Sequence, residues 1–352
     1  MLEFWMSEKR TRKHGARIGG LFAFEDHKQK LAEFTTPLDK LNASMDWNRF
    51  LPILERRVPR KDRSLGGRPP FGHLLMFKII VLQTYYGLSD ERAEFEVLDR
   101  FSFQKFLGLA TGDRVPDRNS IWNFKETLGP EGVEELFQEF DRLLSEAGLL
   151  ASKGKIIDAS FVDAPRQRNS REDNERIKEG GGAPEDWSPQ KRAQKDVDAR
   201  WTKKNNETHF GYKNHVKVNR CTKLIEDYAV TDASVHDSQV FDELLDDSDG
   251  EMFADSAYRS KEISAGLKDR AIRNRIHERA YRNKPLSEDQ KTRNTAKSRI
   301  RARVEHIFGF MAGKMQGHRI RSIGKERAKR GIGLSNLIYN MARITQLGVV
   351  LG

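Results

Sequence analysis

The chain has little cysteine, no long apolar run, no internal repeat and fewer acids than bases. Cys221 is the single cysteine among 352 residues, so neither an intramolecular disulfide nor a cysteine-based zinc site can form. A reducing, cytoplasmic location is expected. The first twenty residues, MLEFWMSEKRTRKHGARIGG, carry no uninterrupted apolar segment and no clear cleavage site, which argues against a signal peptide. The most apolar stretch, HLLMFKIIVLQTYYGL, is broken by Lys78 and Gln83 and is too short to span a bilayer, so no membrane partner is expected. Acids number 52 against 63 Lys and Arg, giving a net charge of +11. That imbalance favours a polyanionic partner over an ordinary basic protein, though charge alone does so only weakly.

Hydrophobic residues make up 37% of the chain, enough for a substantial core. Residues 1–45 have no strong period and read as a partly ordered arm. Residues 46–150 are helical in pattern, with Leu74, Leu75, Lys78, Ile79 and Leu82 recurring at three- and four-residue steps. Ser89 reads as a helix N-cap, and Pro130 opens a clear amphipathic helix. Helices within 71–127 either include a helix-turn-helix that reads DNA or simply pack a core. From 151 to 352 the texture changes. GKIIDASFV, HFGYKNHVKVN, KLIEDYAVTDAS and EMFADSAY read as strands. Residues 166–207 between the first two are polar and read as a charged surface insertion. SVHDSQVFDELLDD, KSRIRARVEHIFGFMAGKM and GLSNLIYNMARITQL read as helices.

Three carboxylates lie beside apolar residues. Asp158 ends KIID, Asp255 ends EMFAD, and Glu305 stands between Val304 and Ile307. Acids on two strands and a helix can converge at one sheet edge. Such a cluster suits a pair of hard cations, which take oxygen ligands and activate water against a phosphodiester. Taken singly, the two aspartates also read as turn formers or helix caps, and Glu305 as part of a solvated ion-pair face. Lys213 and His215 share one face of a strand; they either contact DNA or form an exposed polar face. Asp163, five residues beyond Asp158, points to the opposite face and stays outside the metal set. Residues 319–330 are basic and suit a DNA backbone or a solvated loop.

The ordered set IIDASFVDAP, HFGYKNHVKVN, VTDASVHDS, FADSAYRS and RARVEHIFGFMAG resembles the DDE transposases of bacterial insertion sequences, specifically the insertion-sequence-five family. The helical stretch with RRVPRKDRSLGGRPPFGHLLMFKIIVLQTYYGLSD resembles that family's N-terminal domain. The resemblance implies an α/β fold: an RNase H-like catalytic domain, a mixed sheet flanked by helices, after an all-α domain for DNA binding and dimerisation. It implies that Asp158 lies on the first strand, Asp255 just after the fourth, and Glu305 on a later helix. Together they would hold two Mg²⁺ ions, with Mn²⁺ as a substitute, and Asp158 would bridge both.

The resemblance further implies that Arg301 binds DNA phosphate or orients Glu305. The neighbouring Tyr and Lys of the family pattern are replaced here by Ser298 and Ala312, with Lys314 two residues late. Lys213, His215, Lys314, Arg319 and Arg321 are the remaining candidates for DNA contact. His236 and Asp237 are candidate supports around the acids, Asp237 as a helix cap or as a partner of the metal ligands. The expected activity is binding of terminal inverted repeats, hydrolysis at the element's ends and transfer of the 3′-OH ends to target DNA by a homodimer. It would take place at the nucleoid of a bacterial or archaeal cell. A nuclease that cuts without joining, and an inactive DNA-binding derivative, are the alternatives.

Overall fold

The computed structural model describes residues 23–60, 66, 68–110, 112–165, 169–204 and 206–351. The expectation for residues 1–22 lies outside these. Residues 23–43 hold two helices, α1 (Ala23–Ala32) and α2 (Pro37–Ala43). Thr36 and Asp39 form a reciprocal capping box at the start of α2, and Leu38 and Leu41 are buried. Such a cap satisfies two backbone donors that would otherwise be orphaned.

The helical region continues with α3 (Leu51–Arg57), α4 (His73–Tyr85), α5 (Asp90–Asp99), α6 (Phe101–Leu107) and α7 (Arg118–Glu146). Ser89 caps α5 by accepting the Arg92 N–H at 3.1 Å. Helix α7 kinks at Gly129, whose φ of 64° and ψ of 178° are non-helical, just before Pro130. The amphipathic helix that Pro130 opens is therefore the second arm of one bent helix.

Strands β1 (Gly154–Asp163), β2 (Arg200–Lys204), β3 (Glu207–Asn219), β4 (Ile225–Asp232), β5 (Glu251–Phe253) and β6 (Arg273–Asn274) form one mixed sheet. Strand β3 is long enough to pair β2 along its first part and β4 along the rest. It runs antiparallel to β1, whereas β1, β5 and β6 are parallel. The order β4-β3-β1-β5-β6 is an RNase H-like sheet, with β2 added beside β4 at the same edge. Helix α10 (Lys261–Asp269) links β5 to β6, and the chain ends with α11 (Glu288–Lys314) and α12 (Lys325–Leu347).

Alternation along β1 serves two cores. Ile156 joins Val216, Phe253, Val304 and Ile307 in a cluster that extends through α12 into the helical region. Ile157 joins Met252, Phe241 and Tyr258 on the other face.

The 166–207 insertion is structured. It carries α8 (Arg171–Gly180), α9 (Pro189–Gln194) and β2, while 166–168 and 205 lie outside the described residues. Buried Asp196 ties it down, accepting from the Tyr212 hydroxyl at 2.9 Å and the Gly324 N–H at 3.1 Å. The helix expected in SVHDSQVFDELLDD is instead one 3-10 turn, Asp237–Gln239, followed by loose turns. Acidic side chains there bind nearby backbone: Asp246 accepts from Ser248 N–H at 2.8 Å and Asp249 from Asp246 N–H at 3.1 Å. These local bonds compete with a helical ladder.

Candidate active site

Strands β1 and β5 pair only from Gly154↔Glu251 to Ile156↔Phe253. Two residues further on, each strand presents an aspartate, Asp158 on β1 and Asp255 just past β5. The parallel register thus brings both to the same level where the strands part. Strand β5 stops because Asp255 turns to cap the 3-10 turn Ser256–Tyr258, accepting the Ala257 N–H at 2.7 Å. Asp158 stays in the strand and is buried, 8% exposed. Its Oδ1 accepts the Ala159 N–H at 2.9 Å, and its Oδ2 accepts from the Arg301 guanidinium at 2.8 Å.

Burial pushes the Asp158 carboxyl above the ordinary aspartate range. Arg301 and the Ala159 N–H pull it back, and the negative charge of Asp255 pushes it up again. The two carboxylates therefore repel one another across the fork. Tyr258 lies completely buried beneath them, its hydroxyl without a hydrogen-bond partner among the described residues. Burial, then Asp237, Asp158 and Asp255, raise its pKa. Half-buried His277 stands nearby. Burial, then Arg301 and Lys297, hold it below the usual imidazole range, against a smaller opposing effect of Asp255. Neither Tyr258 nor His277 stood out in the sequence. Tyr258, three residues after Asp255, carried the only available signal.

Arg301 binds Asp158 rather than Glu305. Its Nε is buried without a partner among the described residues. Lys213 and His215 are buried rather than exposed on a polar face. Lys213 donates to Asp237 at 2.8 Å and to the Val235 carbonyl at 2.6 Å. His215 is 0% exposed and bonded to Thr231 at 2.9 Å, and burial drops its pKa to about 4. A neutral, enclosed imidazole has no face to offer DNA in this arrangement. The 3-10 turn at 237–239 is capped by exposed His236, not by Asp237, which is committed to Lys213. Asp163 lies on the other side of β1 from Asp158, opposite Gly211.

Glu305 is exposed on α11, one turn beyond Arg301. Among the described residues, no three His, Cys, Asp or Glu side chains come together as a metal-binding group. Lys314 ends α11 with its ammonium 5.3 Å from the Tyr85 ring centre. Arg319 and Arg321 are exposed, and Arg321 donates to the Gly87 carbonyl at 2.8 Å. No described helix is long and apolar enough to cross a membrane.

The pair Asp158–Asp255 fits a hard divalent cation. Its donors are all carboxylate oxygens, and the two charges repel. The two hydrogen bonds that Asp158 accepts among the described residues leave half of its roughly four lone-pair sites free.

The strand order is that of an RNase H-like sheet, and the paired aspartates stand at its fork. The family model described as the transposase DDE domain matches residues 151–341, more than half of the chain. A second, described as a transposase domain, matches residues 25–127. The chain belongs to the transposase DDE domain family and is a DNA transposase. Enzymes of this family use divalent metal ions. Among solved structures, the chain is similar to a piggyBac transposase synaptic complex with hairpin DNA. The TM-score is 0.42 at 10% identity, covering 92% of this chain and 78% of that one.

The contact at Asp158 makes Arg301→Lys informative. Lysine keeps the charge but loses the planar fork that fixes a carboxylate's orientation. Cleavage should fall at least about tenfold, on the order of 1.4 kcal/mol, with DNA binding little changed. Single-turnover cleavage beside an equilibrium binding curve checks this. A wild-type rate would reduce Arg301 to a simple counter-charge.

Proposed function

We propose that this transposase is of the insertion-sequence-five type and acts on the terminal inverted repeats of its own element. In this reading it hydrolyses the phosphodiester at each end and joins the freed 3′-OH to target DNA. It works as a homodimer that holds both ends, at the nucleoid in the cytoplasm. The observation that carries the reading is the pair Asp158 and Asp255 at the fork of β1 and β5, with α11 running past it.

Asp158, Asp255 and Glu305 would hold two Mg²⁺ ions. The bound metal would supply an activated water and charge stabilisation at the leaving oxygen. The protein's own contribution is positional. Arg301 fixes the Asp158 carboxylate by its 2.8 Å hydrogen bond. Lys213, through Asp237, anchors the 3-10 turn beside the site. Tyr258 and the apolar cluster around it exclude water from one side.

The test uses duplexes carrying the DNA that flanks its gene, both intact and pre-cut. Cleavage is expected with Mg²⁺ or Mn²⁺ and weakly with Ca²⁺, whose looser and larger coordination misplaces the reacting oxygens. Undiminished cleavage in excess EDTA would sink the metal-dependent mechanism. Cutting of intact ends without joining of pre-cut ends would make the protein a nuclease only.

A further inference from the structure

A groove of about 660 Å³ lies between the helical region and the segment that joins α11 to α12, away from the aspartates. It is walled by the α4–α5 turn, the start of α7, α9 of the insertion and residues 315–335. Six cations line it against two carboxylates, Asp90 and Glu126, a net charge of +4. The carboxylates are already engaged: Asp90 with Lys125, and Glu126 with both Arg327 and Arg330 at 2.8 Å. Among the described residues no carboxylate pairs with Arg192, Arg319 or Arg321. Arg192 and Arg321 are held by carbonyl and amide oxygens, which fix the guanidinium without neutralising it. Trp122, 46% exposed, adds a flat aromatic wall.

The groove is connected to the aspartates. The Ile320 N–H donates to the Asp163 carbonyl at 3.0 Å, and the Asp163 N–H to the His318 carbonyl at 2.9 Å. Arg319 is thereby pinned to the end of β1, five residues from Asp158. At about 3.3 Å per residue that is about 17 Å. A smaller cavity of about 130 Å³ reaches from Ser160 to Gly317, Ile332 and Ser335, which it shares with the large groove.

We infer that this groove grips the phosphate backbone of a DNA duplex about five base pairs from the cleaved bond, given about 3.4 Å of rise per pair. The inference rests on the proposed cleavage at Asp158 and adds the insertion, through Arg192, to the DNA-binding surface. Charge complementarity selects the partner: three guanidinium groups that no carboxylate among the described residues neutralises, in an open channel, match successive phosphates.

The triple variant Arg192→Ala/Arg319→Ala/Arg321→Ala changes only exposed side chains. Its DNA affinity and the slope of log affinity against log salt are measured on an own-end duplex and on an unrelated one. Binding should weaken about tenfold or more, and the slope should become shallower by two to three, about 0.9 per lost phosphate contact. Hydroxyl-radical protection should disappear about five base pairs from the cut. The corresponding triple Lys variant should recover most of the slope, which a merely structural role would not allow. Loss of slope on both duplexes supports the groove even if the wild type ignores its own ends; only the end-specific reading then fails. An unchanged slope on both overturns the groove. So does a changed oligomeric state with an unchanged slope, which would make this face an interface between copies.

Discussion

Asp158→Asn should reduce cleavage of the element's ends by about a thousandfold or more, roughly 4 kcal/mol of lost transition-state stabilisation. Binding to the same ends should stay within about threefold, because affinity for DNA comes mainly from Lys and Arg on phosphates. The substitution is nearly isosteric. The Asn carbonyl can still accept the Ala159 N–H, so the local backbone keeps its 2.9 Å bond. What is lost is the charge. Desolvation already disfavours that charge, and the ionised form is held chiefly by Arg301. Removing it relieves a burial cost but leaves the Arg301 guanidinium facing an amide instead of its counter-charge, so a net loss of stability is expected. The diagnostic result is therefore an inactive, folded, DNA-binding protein. Single-turnover cleavage, anisotropy and a thermal melt together read all three. A folded variant that cuts at the wild-type rate would place the reacting phosphodiester elsewhere. Asp255→Ala is expected to behave alike in cleavage, although it also removes the cap on the Ser256–Tyr258 turn.

The sheet was legible because its strands carry strong local signals. Ile156 and Ile157 bracket one face each, and β3 and β4 are rich in β-branched and aromatic residues. Ser89 announced α5 by its cap alone. The insertion was harder to read. Its helices are short and polar, and it is held by Asp196 through contacts to Tyr212 and to Gly324, 128 positions later. No local pattern encodes such a contact. The acidic segment after Asp237 has an apolar spacing that fits a helix, but side-chain bonds to backbone win there. At the site, alternation put Lys213 and His215 on one strand face, and the register agrees. Alternation cannot tell a solvated face from one covered by another layer, and here Val235, Asp237 and Tyr258 cover it. Arg301 was recognised as close to the acids, but its partner is Asp158, 143 positions away, rather than Glu305 one turn along.

Glu305→Gln should also lower cleavage by about a thousandfold or more, without any loss of stability. The stability half is straightforward: Glu305 is exposed, and exposed substitutions usually stay within about 0.5 kcal/mol. The catalytic half rests on how α11 lies against β1. Arg301 reaches Asp158, while Phe308, Met311 and Ala312 share a cavity wall with Ser160, Phe161 and Val162. The helix and the strand therefore run alongside one another. Four helical residues advance about 6 Å, much as two strand residues do, so Glu305 stands beside the 158–162 segment of β1. It also shares its helical stripe with Arg301. The competing reading makes Glu305 one member of a solvated ion-pair face. That reading needs a cation, and its nearest sequence candidates are committed elsewhere, Arg301 to Asp158 and Arg303 to the Arg220 carbonyl. No cation pairs with Glu305 among the described residues. An acid without a cation partner among the described residues, one turn from the arginine that binds the buried carboxylate, is suited to complete an oxygen donor set. Glu305→Asp, which retracts the carboxylate by one methylene, should retain a small part of the rate, whereas Glu305→Gln should not. Cleavage by Glu305→Gln at the wild-type rate across a Mg²⁺ titration, with end binding intact, would assign Glu305 to the solvated face and leave the third acid to be sought on another element.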